Sequence, residues 1–282
     1  MTENKLKTFC IIGDPVNHSL SPSMHNAAFK HLSLNCTYIA FRVQIHELHE
    51  SLNALRAIGI SGFNVTMPHK VEVVRYVDSL DSKAKKTGAV NTVKMVDGNF
   101  LGYNTDSEGF ITPLRKRGIN FKGLTVLILG SGGACRAIVA ALSTESEIST
   151  LAIASRNKIQ SMQISELCNR IGLKHTIIPY NDIQDAAKSS DLIINSTPIG
   201  MHDEPSIIHG KNIRKDSIVY DIVYRPIETN LIKSAKDAGA QVIYGYEMLL
   251  EQACSSFRIW TKLSPPIEIM KRALLGRFGE PR

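Results

Sequence analysis

Hydrophobic residues follow two different spacings along this 282-residue chain. Short runs rich in β-branched and other apolar residues, such as 8–12 and 125–129, are typical of buried strands. Apolar residues spaced three and four apart, such as Leu48, Leu52 and Leu55, are typical of one face of a helix. Because the two patterns alternate along the chain, the sequence predicts an α/β protein with largely parallel sheets.

The alternation predicts a series of individual elements. In the first part of the chain we expect strands at 8–12, 37–43, 60–65, 90–95 and 100–103, and helices at 23–31, 46–58, 79–87 and 107–117. In the second part we expect strands at 125–129, 149–154, 176–178, 191–194, 217–221 and 241–244, with helices between them that include 135–142 and 230–238. Asp97-Gly98 predicts a hairpin between two of the early strands.

The position of a Gly-rich turn at residue 130 favours two domains. A dinucleotide-binding domain usually carries this turn near its start, so the roughly 120 residues before it belong to another domain. We expect a substrate-binding and catalytic domain at 1–105, and a doubly wound, Rossmann-type NADP-binding domain at 106–245. The C-terminal helices, 246–282, should pack back on the first domain, and a cleft between the domains should hold the ligands.

Composition narrows the class of protein. Five scattered cysteines without metal-ligand spacing predict reduced thiols. The chain shows neither a signal-peptide pattern nor an apolar run of about 18 residues, so we expect a cytoplasmic protein outside the membrane. The net charge of +7 is spread along the sequence with few aromatic residues interleaved, which disfavours nucleic-acid binding. Anionic small molecules, or a basic surface that serves only solubility, explain the charge equally well.

A Gly-rich turn between a strand and a helix carries the strongest chemical signal. The strand 125–129 leads into the five residues Gly130, Ser131, Gly132, Gly133 and Ala134, and then into the helix. Glycines permit a tight turn and a close approach of the backbone, and the free N–H groups at a helix start attract anions. This layout predicts a pyrophosphate-binding site for a dinucleotide.

The end of the next strand indicates which dinucleotide binds. An NAD site usually places a carboxylate there, about 20 residues after the turn, but this chain has Ser155, Arg156, Asn157 and Lys158. Cationic side chains suit a 2'-phosphate, so we expect NADP(H) rather than NAD(H). A second interpretation stays open, in which Arg156 and Lys158 are only solvated residues at a helix start.

Three turns of the first domain are rich in hydrogen-bonding side chains: residues 18–22, residues 64–70, and Asn91-Thr92 with 104–106. They follow strands, and ligands of open α/β sheets bind beyond the carboxyl ends of strands. We therefore expect a small, polyhydroxylated substrate there. Ser19 and Ser21 could bind a carboxylate, although Ser-Pro at a helix start is also ordinary capping chemistry.

Lys70 and Asp106 form the pair that we expect to carry proton transfer to and from a substrate oxygen. Each residue also has a plain alternative: Asp106 could cap the following helix, and Lys70 could be one of many exposed lysines. His69 is not expected to take part in proton transfer, because a residue next to Lys70 on the same turn usually faces in another direction. His46 and His49 lack a third ligand, so no metal site is expected.

In the second domain, polar or small residues again follow predicted strands. Residues 195–201 form the kind of loop that lies against a nicotinamide ribose, and residues 221–226 end the next strand. Gly245 and Gln252 lie where the chain returns towards the first domain. Gln252 could therefore reach a substrate from the other side.

Several of these segments together resemble the shikimate dehydrogenase family. They are, in the order of the family, Ser-Leu-Ser-Pro (19–22), Asn-Val-Thr-Met-Pro-His-Lys (64–70), Gly-Ala-Val-Asn-Thr (88–92), Asn-Thr-Asp (104–106), Gly-Ser-Gly-Gly-Ala (130–134), and the segments 195–201, 221–226 and 245–253. The resemblance is collinear from about residue 19 to residue 253. It implies reversible, NADPH-dependent reduction of 3-dehydroshikimate to shikimate, on the pathway to chorismate and the aromatic amino acids.

The resemblance also implies roles for individual residues. Lys70 matches the catalytic acid/base, with Asp106 as its partner. The substrate-binding residues that it implies are Ser19, Ser21 and Tyr224 for the carboxylate, and Thr66, Asn91, Asp106 and Gln252 for the hydroxyls. The cofactor-binding residues that it implies are Gly130 to Ala134 for the pyrophosphate, Arg156 for the 2'-phosphate, and Ile222 and Gly245 for the nicotinamide. Ser155 and Asn157, which flank Arg156, are also expected to bind the cofactor.

Departures from the family pattern leave some points open. Ser155 and Asn157 replace the usual Asn and Thr/Ser around Arg156, Cys135 takes a usual Ala position, and no role is assigned to Ser82. The family is commonly dimeric and monomers are known, so a homodimer is one of two expected states. Two other functions remain as alternatives: a quinate or dual quinate/shikimate dehydrogenase that uses NAD, and a catalytically silent NADP-binding regulator or interaction module.

Overall fold

The computed structural model describes residues 6–145 and 148–278, and the chain divides into two compact units. One unit comprises the chain up to Asp106 together with the chain from Leu250 onward, and the other is Ser107–Leu249. Each unit contains a six-stranded sheet. Within the residues described, no helix combines the length and the apolar character that a membrane crossing requires.

The first unit is built on a mixed sheet. Its strands are β1 (Lys7–Gly13), β2 (Cys36–Arg42), β3 (Gly62–Val65), β4 (Ser79–Leu80), β5 (Thr92–Val96) and β6 (Asn99–Tyr103), in the order β2-β1-β3-β5-β6-β4. Its first helices are α1 (Ser21–His31), α2 (Leu48–Ala57) and α3 (Ser82–Thr87). The pairings β1–β2, β1–β3 and β4–β6 are parallel, whereas β5 runs antiparallel to both β3 and β6.

The antiparallel part of this sheet follows from the local sequence. Asp97 and Gly98 link β5 to β6 with φ values of 48° and 80°. Positive φ at both central residues is the geometry of a type I′ turn, whose twist matches that of two antiparallel strands. The predicted hairpin is therefore present.

Two helix starts differ from the sequence-based expectation. Residues 79–87 do not form one helix, because Ser79 and Leu80 form β4 and Asp81 then caps α3 by accepting a hydrogen bond from the Ala84 N–H at 2.7 Å. The helix expected from residue 23 begins at Ser21, since Pro22 fits the first turn of a helix, where no backbone N–H is needed.

The second unit has an all-parallel sheet. Its strands are β7 (Thr125–Leu129), β8 (Thr150–Ala154), β9 (Thr176–Ile178), β10 (Leu192–Asn195), β11 (Ile218–Asp221) and β12 (Gln241–Tyr244), in the order β9-β8-β7-β10-β11-β12. Its helices are α4 (Asp106–Lys116), whose first residue still belongs to the first unit, α5 (Gly133–Leu142), α6 (Lys158–Arg170), α7 (Ile183–Ser189) and α8 (Asn230–Asp237). This is the Rossmann strand order, which reverses direction between β7 and β10.

Alternate side chains of β7 are buried on opposite faces of the second sheet. Val126 and Ile128 belong to one hydrophobic cluster and Leu127 and Leu129 to another. Each face of the sheet therefore has its own core, as expected for a doubly wound fold. The apolar run 125–129 arises because this central strand has no solvent-facing side.

The last two helices are α9 (Gly245–Thr261) and α10 (Ile267–Gly276). From Leu250 onward the chain belongs to the first unit, where α10 packs against α1. Trp260, near the end of α9, donates a hydrogen bond from its indole N–H to the Val93 carbonyl oxygen at 2.9 Å. The C-terminal helices therefore pack back on the first sheet, as the sequence predicts.

Candidate active site

A partly buried ion pair lies in the first unit. The Lys70 Nζ is 2.6 Å from the Asp106 Oδ2, although the two residues are 36 positions apart in sequence. The Lys70 side chain is 19% exposed and that of Asp106 only 6%. The ammonium is therefore accessible to a small molecule, whereas its carboxylate partner is held inside the protein.

Asn91 fixes the position of that carboxylate. Its amide nitrogen donates hydrogen bonds to the Asp106 Oδ1 and to the Thr105 Oγ1, both at 2.8 Å. Its amide oxygen accepts from the Thr105 N–H at 2.7 Å. Asn91 is 2% exposed, so the Asp106 carboxylate is held by a buried side chain that is itself fixed by hydrogen bonds. Gln252 on α9 approaches the same amide nitrogen, with its Oε1 at 3.5 Å.

The neighbouring turns of the first unit carry Ser19, Ser21 and Thr66 of the predicted substrate residues, whereas Tyr224 lies in the second unit. The Thr66 N–H donates to the Ile12 carbonyl at 2.9 Å, and a Cβ on Gly13 would collide with the Thr66 methyl group. Gly13 is therefore required for the close approach of this turn to the end of β1. At the start of α1, the Ser19 Oγ accepts a hydrogen bond from the Ser21 N–H at 3.3 Å.

Two further residues belong to this polar cluster. Asn64 opens the turn 64–70 but was given no role of its own from the sequence, and Ser256 was not identified there. Asn64 in β3 donates from its amide to the Asn91 carbonyl and to the Thr92 Oγ1, both at 3.0 Å. Ser256 on α9 lies with its Oγ 2.8 Å from the Thr92 Oγ1. A polar residue within an apolar strand was a usable signal for Asn64. Ser256 had no comparable signal, since serine on a helix is unremarkable.

The Gly-rich turn of the second unit has the geometry expected for anion binding. Gly130 has φ of 104°, and a Cβ there would lie 2.8 Å from the Ser196 Oγ. Gly132 caps α5 with extended backbone and without a side-chain cap, and the space around its missing Cβ is open. The first turn of α5, with Gly133 and Ala134, thus begins without a side-chain cap on its N–H groups.

The segment after β8 combines an exposed cation with internal hydrogen bonds. Arg156 is exposed, and its Cζ lies 5.7 Å from the centroid of the Tyr180 ring. Asn157 caps α6, because its Oδ1 accepts from the Gln160 N–H at 3.0 Å. The Ser155 Oγ accepts from the Asn157 N–H at 3.2 Å and lies 2.6 Å from the Ser131 Oγ. Ser155 and Asn157 therefore shape the loop that presents Arg156.

Close backbone packing explains the glycine at the start of α9. A Cβ on Gly245 would collide with the carbonyl oxygens of Ile222 and Val223. Ile222 itself donates its N–H to the Asn195 carbonyl at 3.1 Å and is half-buried. Tyr224, also half-buried, follows two residues later. Ile222, Tyr224 and Gly245 thus belong to connected segments of the second unit.

A fully buried carboxyl group, Asp221, organises these segments. It accepts hydrogen bonds from the Asn195 amide at 2.9 Å, the Val223 N–H at 3.0 Å and the Thr229 hydroxyl at 2.7 Å. Burial raises the pKa of Asp221 to about 6, and the three donors oppose that rise. The side chain thereby joins the ends of β10 and β11 to the start of α8.

His49, one of the two histidines considered as metal ligands, has other neighbours. His49 lies with its Nε2 3.4 Å from the Asn53 amide nitrogen, and its ring is 5.2 Å from that of Tyr76. In residues 6–145 and 148–278 no group of three His, Cys, Asp or Glu side chains has the arrangement of a metal site. His69 is buried, and its Nε2 is 2.7 Å from the Val43 carbonyl oxygen.

Comparisons with known protein families cover both units. Residues 11–93 match the shikimate dehydrogenase substrate binding domain, residues 114–224 match shikimate / quinate 5-dehydrogenase, and residues 245–275 match the shikimate 5'-dehydrogenase C-terminal domain. The first matched segment contains polar turns of the first unit, the second contains the Gly-rich turn, and the third contains the returning C-terminal helices.

Individual relatives extend over nearly the whole chain. A shikimate dehydrogenase (NADP(+)) from Nitrosopumilus maritimus is 45% identical over 272 residues, which are 96% of this chain and 99% of that protein. A crystal structure of a shikimate dehydrogenase in complex with NADP+ is 38% identical, with a TM-score of 0.91 and coverage of 99% and 98% of the two chains. The Thermus thermophilus enzyme, in complex with NADP(H) and shikimate, is 33% identical, with a TM-score of 0.84 and coverage of 96% and 99%. Because sequence, domain matches and fold agree over almost the full length, this chain belongs to the shikimate dehydrogenase family.

Proposed function

We propose that this protein is an NADP-dependent shikimate dehydrogenase in which Lys70 and Asp106 carry the proton transfer. It interconverts 3-dehydroshikimate and shikimate on the pathway to chorismate and the aromatic amino acids. The observation that carries the catalytic assignment is the 2.6 Å ion pair between Lys70 and Asp106 within a cluster of amide and hydroxyl groups.

The reaction needs a proton donor at the carbonyl oxygen of 3-dehydroshikimate and a proton acceptor in the reverse direction. Bound NADPH supplies the hydride. The Lys70 ammonium is the proton donor, because it is accessible and carries a transferable proton. Asp106 holds the ammonium in place through one carboxylate oxygen, while Asn91 holds the other oxygen. A fixed donor avoids the entropic cost of orienting a mobile lysine in the transition state.

The substrate is held by residues that offer hydroxyl, amide and carboxylate groups. We assign Ser19, Ser21 and Tyr224 to its carboxylate and Thr66, Asn91, Asp106 and Gln252 to its hydroxyls. The burial of Asn91, Asp106 and Gln252, each less than a tenth exposed, supports this assignment. Hydrogen bonds among these side chains fix their orientation, so they offer a ligand groups that are already in place.

The second unit is assigned to NADP(H), and its residues fit that group. The open space at Gly132 and the uncapped start of α5 suit a pyrophosphate held by Gly130, Ser131, Gly132, Gly133 and Ala134. Arg156, presented by Ser155 and Asn157, suits the 2'-phosphate. Ile222 and Gly245 are assigned to the nicotinamide. We accordingly assign the domain of residues 1–105 with 246–282 to substrate and the domain of residues 106–245 to NADP, with Asp106 and Tyr224 as the residues of the latter range that are assigned to the substrate.

Two alternatives are weaker on specific grounds. An NAD-dependent quinate dehydrogenase would be expected to carry a carboxylate at the end of β8, where this chain has the exposed Arg156. A silent NADP-binding regulator would have no use for the Lys70–Asp106 ion pair. The proposal also includes a cytoplasmic location, supported by five cysteines that form no disulfide bond, and a homodimeric state, which is common in the family. Light scattering on the eluting peak of a sizing column distinguishes dimer from monomer.

The decisive experiment measures initial rates of reduced-nicotinamide formation by the purified protein. Shikimate and quinate are each supplied with NADP+ and with NAD+. The proposal expects turnover largely confined to shikimate with NADP+. Preferred turnover of quinate with NAD+ would support the first alternative, and the absence of turnover in all four pairs would support the silent regulator.

A further inference from the structure

We infer that Tyr38 is a positioning residue of the proposed substrate site, acting through Asn64. Tyr38 lies on β2 and is separated from Asn64 by 26 positions in sequence, yet its hydroxyl donates to the Asn64 Oδ1 at 2.7 Å. The inference rests on the proposed function, because it assigns Tyr38 a part in holding the residues that bind shikimate.

The Tyr38 hydroxyl is held with little freedom, although β2 is an edge strand of the first sheet. The Asn26 side chain, on α1, accepts from the Tyr38 N–H and donates to the Tyr38 carbonyl, both at 2.8 Å. The ring is 1% exposed and stacks on His25, with centroids 4.6 Å apart and planes 15° apart. Backbone and ring are therefore both fixed by α1.

Hydrogen bonds of Asn64 link Tyr38 to the neighbouring strand β5 and the residue before it. With its amide oxygen bonded to Tyr38, its amide nitrogen faces the Asn91 carbonyl and the Thr92 Oγ1, both at 3.0 Å. The Ser256 Oγ is also near, at 3.2 Å. A side-chain amide has donors on one end and acceptors on the other, so a donor at Tyr38 favours the orientation that holds Asn91.

Asn91 connects the hydrogen bonds of Tyr38 and Asn64 to the Lys70–Asp106 ion pair. Its backbone carbonyl accepts from the Asn64 amide as well as from the Val65 N–H, and its side chain donates to Asp106, which binds Lys70. Tyr38 thus stands at the outer end of a buried path of hydrogen bonds that ends at the proton-transfer pair. Buried networks of this kind rigidify their members when every group is satisfied.

Removal of the Tyr38 hydroxyl should loosen the site without removing the ring. The Asn64 amide oxygen would lose its 2.7 Å donor in a buried position and could turn towards other donors, such as the hydroxyls of Thr92 and Ser256. The Asn91 carbonyl would then keep only the Val65 N–H, at 2.9 Å, and lose its side-chain donor. The effect should fall on shikimate and on the proton-transfer pair, because the residues assigned to NADP lie in the other unit.

The test is the Tyr38→Phe variant, with Tyr220→Phe as the matched control. Tyr220 is equally buried but lies on β11 of the second unit, where it stacks on Phe110. For Tyr38→Phe we expect the KM for shikimate to rise and kcat to fall, each by about threefold to tenfold, with the KM for NADP+ unchanged within about twofold. Tyr220→Phe should leave all three values within about twofold of the wild type.

A double-mutant cycle separates positioning from a general loss of stability. If Tyr38 acts through Asn64, Tyr38→Phe should have no further effect on kcat/KM in the Asn64→Ala background. Thermal melting of each variant checks that the fold is retained, which is expected because Phe keeps the stack on His25. Similar fold-changes from Tyr38→Phe in both backgrounds, or unchanged shikimate kinetics in the single variant, would overturn the inference alone. A wild-type protein that does not oxidise shikimate would overturn the proposed function and this inference together.

Discussion

At the scale of single residues, the burial of each partner decides what an ion pair does. Lys70–Asp106 and Lys188–Asp185 have the same 2.6 Å separation of nitrogen and oxygen. The first pair has a carboxylate that is 6% exposed, whereas the side chains of the second are 56% and 82% exposed. A solvated pair contributes little, because water screens it and both side chains remain mobile. Only the first pair can hold an ammonium at a fixed point for chemistry.

The Lys70→Ala variant tests this assignment. We expect kcat to fall by about a hundredfold or more with little change in the KM for shikimate, because a proton donor acts mainly in the transition state. The measurement is steady-state kinetics with shikimate and NADP+. Lys188→Ala, which removes the equally short but exposed pair, should leave both constants unchanged. Near-normal kcat in Lys70→Ala would reject the proton-transfer role.

His25 is a buried histidine that lowers the free energy of unfolding. It is 0% exposed, and neither ring nitrogen has a hydrogen-bond partner among the residues described. Burial lowers its pKa from 6.5 to about 3. The unfolded chain therefore binds a proton between these two values while the folded chain does not, so this residue lowers stability as the pH falls below 6.5.

For His25→Phe we expect a protein that is more stable by about 1 kcal/mol at pH 7, since an unsatisfied polar ring is replaced by an apolar ring of similar shape. The advantage should grow by about 2 kcal/mol between pH 7 and pH 5, as the protonation of His25 in the unfolded wild-type chain disappears. Urea unfolding followed by fluorescence measures this, because Trp260, the only tryptophan, lies 5.2 Å from His25.

His69→Phe is the matched control for that experiment. His69 is also 0% exposed, but its Nε2 bonds to the Val43 carbonyl oxygen at 2.7 Å. Its replacement by Phe should therefore destabilise the protein at pH 7, by about 1 to 3 kcal/mol, because a buried carbonyl loses its partner. A His25→Phe variant that is less stable than the wild type at both pH values would contradict the account given for His25.

At the scale of elements, two glycines of one turn serve different purposes. Gly130 needs its positive φ of 104° and the absence of a Cβ for the fold, since Ser196 lies against it. Gly132 has φ of −79° and ψ of −168°, which any residue adopts, and nothing lies within 4 Å of a Cβ built there. The fold itself therefore does not need a glycine at 132, and the proposed pyrophosphate does.

The Gly132→Ala variant separates folding from cofactor binding. We expect a melting temperature close to that of the wild type and a KM for NADP+ raised by about tenfold, because the added methyl group occupies space that the phosphates need. The KM for shikimate should not change. In contrast, Gly130→Ala should lower the melting temperature as well. An unaltered KM for NADP+ in Gly132→Ala would place the pyrophosphate elsewhere.

At the scale of the whole molecule, the proposal divides the two ligands between two units. Residues assigned to the hydroxyls of shikimate belong to the first unit, and residues assigned to NADP belong to the second. A substitution in the second unit that touches only the cofactor should therefore alter cofactor constants alone. Arg156 offers the sharpest test, because one phosphate distinguishes NADP from NAD.

For Arg156→Ala we expect the KM for NADP+ to rise by about tenfold to a hundredfold, which corresponds to the loss of one charge-assisted hydrogen bond of about 1.5 to 3 kcal/mol. The low kcat/KM with NAD+ should not change, since that cofactor lacks the 2'-phosphate; it serves as the control within the same variant. Equal losses with both cofactors would indicate that Arg156 supports the loop rather than the phosphate.

The sequence by itself determined the elements of both units and the turns that carry chemistry. Strand β7 was predicted to the residue, and the Gly-rich turn and the Asp97-Gly98 hairpin were found, because apolar periodicity and turn residues act over a few neighbouring positions. Sequence patterns did not separate a short strand and a cap from the helix that follows them, as at β4 and Asp81. Propensity does not distinguish a two-residue strand from the first turn of a helix.

Only the tertiary structure decided which polar side chains meet. Asn64 contacts Ser256 across 192 positions, and Tyr38 contacts Asn64 across 26, because β2, β3 and β5 lie in one sheet and α9 packs on it. No local pattern encodes such contacts, since each depends on strand order and on the return of the chain after the second unit. The lysine and the aspartate could be named from the sequence as candidates. The geometry that joins them, and the buried amides behind them, comes from the packing of distant segments.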